Sequence, residues 1–194
     1  ILLFVSNADL VHPFIYEIAA IKLLWKSDAD LFLKTSNDIL MQAKNDHSTI
    51  DKYPDIVLKC YDEKNLEEID HLKKALYAKC DTSFSYKLSW LAFVSMLRAS
   101  SHAGTATWQY ILPNKKKAKV LSAFDAFSKQ VHLMYEDMKI FQESKAKTYA
   151  TLLKQDARKP SIIEKDSIDL VITSPPYANN YDYADATRLE LSVL

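Results

Sequence analysis

The fold turns on one stretch, Ser167-Ile168-Asp169-Leu170-Val171-Ile172-Thr173-Ser174-Pro175-Pro176-Tyr177. Leu170-Val171-Ile172 is a short, continuous apolar run bounded by loop residues, the pattern of a strand buried on both faces as in a parallel sheet. Two consecutive prolines cannot continue a central strand, so the backbone must leave the sheet at Ser174. Strand ends of this kind are where open α/β sheets place their chemistry. Upstream, Thr148 to Leu153 alternates and predicts another parallel strand, followed by Asp156-Ala157-Arg158 and a turn from Pro160 to Asp166. Residues 146–194 therefore predict part of an α/β domain.

Before that region the period is helical. Phe14, Ile18, Ile21 and Trp25 fall on one face after Pro13, a residue suited to a helix's first turn. Asp28 is placed to cap a second helix carrying Leu31, Leu33, Ile39 and Leu40. A third helix, from about Lys64 to Tyr77, presents Leu66, Ile69, Leu72 and Leu76 inward and leaves Glu67, Glu68, Lys73 and Lys74 to solvent. Tyr86 to Leu97 is almost wholly apolar and predicts the most buried helix. A fifth runs from about Lys119 to Glu143. Residues 1–145 thus predict a helical region free of antiparallel hairpins, its aromatics and methionines serving as core.

Composition narrows the function classes. Of 194 residues, 48% are hydrophobic and 26% charged, which excludes a disordered tail or a collagenous rod. The 25 basic and 25 acidic side chains balance, so nucleic-acid binding must use a local patch. No apolar run reaches membrane-spanning length and no leader pattern opens the chain, so a cytoplasmic protein is expected. Cys60 and Cys80 lack metal-ligand spacing and read as reduced, buried thiols. Glycine is the outlying count: Gly104 stands alone, where average usage of roughly 7% predicts about 14. A nucleotide-like cofactor normally sits on a glycine-rich strand-to-helix turn. The chain opens without methionine on Ile1 to Val5 and closes mid-pattern on Leu189 to Leu194, so it reads as a piece of a longer protein whose glycine turn lies upstream.

Ser174-Pro175-Pro176-Tyr177 has a specific chemical use. The prolines fix φ and set the direction of neighbouring carbonyls. The Ser174 hydroxyl and the Pro175 carbonyl then give two close acceptors for the hydrogens of an exocyclic amine, leaving the nitrogen lone pair directed at an electrophile. Tyr177 supplies a flat face on which a base stacks. No metal or general base is needed. A proline turn that merely closes a strand is the alternative reading. The run from Asp169 to Tyr177 resembles the catalytic motif of amino-methylating DNA methyltransferases, which use S-adenosylmethionine and act on cytosine N4 or adenine N6. Asp156-Ala157-Arg158 and Ser167-Ile168-Asp169 match that family's upstream spacing, and Asn179-Asn180-Tyr181-Asp182-Tyr183 with Arg188-Leu189-Glu190 resembles its downstream segment.

The resemblance implies a Rossmann-like methyltransferase sheet of which this chain holds part, with the helical block as a large insertion. Ile1 to Asn7 then corresponds to the helix after the family's second strand. It implies catalytic roles for Ser174, Pro175, Pro176 and Tyr177, cofactor-adenine contact by Asp156, and a base pocket lined by Asn179, Asn180, Tyr181 and Tyr183. Asp156 is equally a turn aspartate by type. Serine in the first motif position leans toward cytosine N4, with adenine N6 the alternative. A site-specific enzyme of restriction-modification type is expected, inactive as this chain alone. For DNA contact the best local patch is Trp108, Lys115, Lys116, Lys117 and Lys119, cations for phosphates beside an aromatic, although a lysine run is commonly a solvated loop. His102 reads as a loop histidine. Two rivals stand beside this reading. One is methylation of a protein glutamine amide, whose related motif usually begins with Asn; the other is a helical interaction module without catalysis.

Overall fold

A computed structural model describes residues 2–4, 12–105, 111–144, 150–154, 163–172 and 186–194, with backbone alone for 2–4, 105 and 111–115. The elements run β1 (Leu2–Phe4), α1 (Pro13–Lys22), a 3-10 turn (Leu23–Lys26), α2 (Ala29–Lys44), α3 (Asp55–Leu58), α4 (Glu63–Ala78), α5 (Phe84–Ser100), β2 (Ala103–Thr105), β3 (Ile111–Lys116), α6 (Ala123–Glu143), β4 (Ala150–Leu152) and α7 (Arg188–Val193).

The helix starts follow local chemistry. Pro13 opens α1 at its first turn. Asp28, Asp62, Ser83 and Ser122 each accept from the backbone N–H three residues on, at 2.9, 2.8, 3.2 and 3.1 Å. Each such cap is worth about 1 kcal/mol. The core is built around α5, whose Leu88, Leu91, Ala92, Phe93, Val94, Met96 and Leu97 are all buried. It packs against α1, α2, α4 and α6. Phe32, Ile39 and Ala43 of α2, Ile69, Leu72 and Leu76 of α4, and Phe127, Val131 and Met138 of α6 complete the interior. Where α2 meets α5, the hydroxyls of Ser36 and Ser89 share a 2.8 Å hydrogen bond, and Ser89 also donates to the Ser85 carbonyl at 2.8 Å, so both buried polar groups are satisfied.

The α/β fold class is overturned: the described residues are mostly helical, and their strands form only two separate two-stranded pairs. β1 pairs in parallel with β4, in register Leu2↔Ala150 to Phe4↔Leu152, with the helical block as the long connection that parallel strands require. Leu2–Phe4 is therefore strand, not helix. The expected strand at 167–172 does not form. Leu170, Val171 and Ile172 are 74%, 77% and 86% exposed. An apolar run becomes a buried strand only where neighbours supply a ladder and cover both faces, and no described segment does so. An antiparallel pair, β2 with β3, stands within the region expected to be hairpin-free. Face assignments change as well. Leu31 is exposed while Phe32, Ser36, Ile39 and Ala43 make the inner stripe of α2. Glu68 is buried, its Oε2 accepting from the Phe124 N–H at 3.0 Å to hold the start of α6. Cys60 is buried as expected, but Cys80 is exposed.

Candidate functional site

Ser174, Pro175, Pro176, Tyr177, Asn179, Asn180, Tyr181, Tyr183, Asp156 and Trp108 lie outside the described residues, and Lys115 is described in backbone only. What the structure does place is the foot of the lysine segment and the residues that follow the Ser-Pro-Pro-Tyr motif. Each bonds Arg98, near the C-terminal end of α5.

The lysine segment is one strand of the β2–β3 pair. Its register runs Thr105↔Ile111 and Gly104↔Leu112, then shifts, so that Ala103 faces Lys116. Pro113 falls within the shifted stretch of β3, and its ring nitrogen has no hydrogen to donate to a ladder. Lys116 and Lys119 are exposed. Lys117 is not. Its backbone N–H donates to the His102 carbonyl at 2.9 Å, and its ammonium donates to the Arg98 carbonyl at 2.6 Å. Burial, and then the neighbouring Arg98 charge, hold the Lys117 ammonium below the ordinary lysine range.

Lys117 belongs to a wider solution to a backbone problem. The last carbonyls of a helix have no intrahelical partner, and a glycine beyond the end often supplies a turn that satisfies them. In this glycine-poor chain α5 ends on Ser101 in an extended conformation. Its terminal carbonyls are met by tertiary donors instead. The Tyr61 hydroxyl bonds Leu97 at 2.9 Å, the Lys117 ammonium bonds Arg98, the Leu121 N–H bonds Ala99 at 3.2 Å, and the Asn65 amide bonds Ser100 at 2.8 Å. Just past the helix, Ser101 Oγ and the His102 N–H both donate to the Cys60 carbonyl, at 2.8 and 3.0 Å. His102 Nε2 lies 3.1 Å from the Lys59 carbonyl, which gives the ring a structural partner. Burial pushes the Cys60 thiol up, so it stays protonated at neutral pH.

The Arg98 side chain reaches the other way, into the C-terminal segment. Its Nε donates to Glu190 Oε1 at 2.6 Å, and its Nη2 donates to the Ala186 carbonyl. Glu190 is buried, and its Oε2 has no hydrogen-bond partner among the described residues. Leu189 and Val193 of α7 are buried against the helical core, and the Lys73 ammonium donates to the Val193 carbonyl at 2.8 Å. The Tyr61 phenol is raised well above its ordinary value, by burial first and then by the Glu190 charge. Neither Arg98 nor Glu190 stood out in the sequence as a pair. The available signal was an arginine near the end of the mostly apolar stretch Leu88 to Leu97 of α5.

Gly104 lies in β2, not at a strand-to-helix turn, so the described residues do not compose a nucleotide-type cofactor site. No described helix is long and apolar enough to cross a membrane. No protein-family model, curated protein or solved structure matches the chain.

Proposed function

We propose that this chain carries the target-base turn of a DNA methyltransferase acting on an exocyclic amine, most naturally cytosine N4, with adenine N6 the second base. The observation that carries the reading is Ser174-Pro175-Pro176-Tyr177 directly after an apolar run. On this reading a base leaves the duplex and stacks on Tyr177. The Ser174 hydroxyl and the Pro175 carbonyl accept the two amine hydrogens, which keeps the nitrogen lone pair out of conjugation with the ring. Asn179, Asn180, Tyr181 and Tyr183 line the pocket, and Asp156 contacts the cofactor. The methyl group comes from S-adenosylmethionine, and no part of its binding is assigned to the described residues. Lys116 and Lys119, exposed at the foot of the hairpin, support a DNA-facing role for the lysine segment, together with Lys115 and Trp108. A cytoplasmic setting belongs to the same proposal.

The test is transfer of labelled methyl groups from S-adenosylmethionine to DNA by the intact protein, with the product nucleosides separated. N4-methylcytosine is the expected product. N6-methyladenine would reassign the base, and no transfer to any DNA would favour a non-catalytic helical module.

A further inference from the structure

The geometry points to Arg98 as a positioning residue, tying the segment that follows the Ser-Pro-Pro-Tyr turn to the same end of α5 that receives Lys117; the inference rests on the methyltransferase reading above. Among the described residues, the guanidinium grips the Ala186 carbonyl and Glu190 Oε1 of the C-terminal segment. The same residue's main-chain carbonyl accepts the Lys117 ammonium, which follows β3 directly. One residue of α5 therefore bonds both Lys117, which follows the lysine strand, and residues 186–194, which follow in sequence the turn assigned to the target base. Its backbone is rigid, because each neighbouring carbonyl at that helix end is also bonded. Tyr177 lies nine residues before Ala186, so at most about 30 Å of extended chain separates the stacking ring from this anchor. A carboxylate buried beside the guanidinium makes the anchor all-or-none, since Glu190 without Arg98 is an uncompensated buried charge.

The experiment uses the intact protein and three variants: Arg98→Met, Glu190→Gln, and the double variant Arg98→Met/Glu190→Leu, which replaces the ion pair by apolar side chains and keeps α7 docked. Hydrogen exchange of residues 186–194 and steady-state methyl transfer are read in parallel. Arg98→Met should speed exchange of these amides at least tenfold, and the double variant should restore slow exchange at Leu189 and Val193. The double variant still lacks the bond to the Ala186 carbonyl. It should keep its KM for DNA within about twofold while kcat falls on the order of ten- to a hundredfold, as expected for a small displacement of a reacting group. Glu190→Gln keeps the Ala186 bond and should retain most of kcat. Parental kcat in the double variant would overturn the proposal, as would a parallel loss of kcat and DNA affinity. If the parent protein methylates no DNA, the methyltransferase reading fails with its catalytic consequence, and the exchange measurement alone decides whether Arg98 holds the segment.

Discussion

The Lys117 ammonium sits 2.6 Å from the Arg98 carbonyl, closing the last turn of α5 with a side chain that follows the hairpin. A cation at a helix C-terminus meets both an orphan carbonyl and the negative end of the helix dipole. This geometry divides the lysine cluster by job.

Lys117→Met should therefore cost about 1 kcal/mol of stability, seen as a lower urea midpoint, with little effect on the salt dependence of DNA binding. Lys116→Ala/Lys119→Ala should do the reverse. It should weaken binding at many sequences alike and reduce the slope of log K against log salt by roughly two, with stability unchanged. An unchanged slope in that double variant would move the DNA surface away from the hairpin.

Asn65 is the second prediction. Its amide donates to the Ser100 and Leu121 carbonyls at 2.8 and 3.1 Å, and its Oδ1 accepts from the Ala123 N–H at 3.1 Å. One side chain thus closes α5 and opens α6. Asn65→Ala leaves three backbone groups without these partners and should cost roughly 2–4 kcal/mol. Asn65→Asp keeps the acceptor but turns an oxygen toward two carbonyls, so it should be no better. Chemical unfolding of both variants reads this directly.

Thiol chemistry gives a third. Cys80 is exposed, whereas Cys60 is buried with its thiol pushed up. Brief alkylation of the native protein should label Cys80 and spare Cys60, and Cys80→Ser should abolish the fast phase. Labelling of Cys60 at a comparable rate would show that the contact between the α3 end and the hairpin foot opens readily.

Much of the helical part was legible because its signals are local. Pro13 and Asp28 announce their helices, and Leu66, Ile69, Leu72 and Leu76 recur at the spacing that α4 buries. What failed was whatever depended on a distant partner. Ser36 is core because Ser89 faces it, and Glu68 is buried because the α6 backbone needs an acceptor. The pairing of Ala103–Thr105 with Ile111–Lys116 was hidden by polar residues, a glycine and a proline, which read as loop until a second strand is laid beside them. Leu170-Val171-Ile172 misled in the opposite sense: its pattern is that of a buried strand, and burial is a property of neighbours. Of the candidate site, the motif rests on residue types alone, because residues 174–183 lie outside the described residues, while the Arg98–Glu190 pair required the fold.

Gly104 leads to a fourth prediction. With the single glycine of the chain in β2, residues 1–194 alone offer no strand-to-helix glycine turn. Calorimetric titration of this 194-residue chain with S-adenosylmethionine should show no micromolar binding. A micromolar isotherm would contradict this expectation.

Whether Ser174 to Tyr177 performs chemistry is tested most directly by single-turnover methyl transfer to DNA by the intact protein. Tyr177→Ala should lose stacking worth roughly 1–3 kcal/mol, while Tyr177→Phe keeps most of it because the ring face remains. Ser174→Ala should lower the transfer rate more than DNA affinity, since its acceptor matters most as the amine reacts. Pro175→Ala, which frees the carbonyl direction, should cost on the order of a hundredfold in rate. Slow transfer by Ser174→Ala and Tyr177→Ala with DNA still bound is the expected result; parental rates in both would make the Ser-Pro-Pro-Tyr turn a structural feature and contradict its catalytic role.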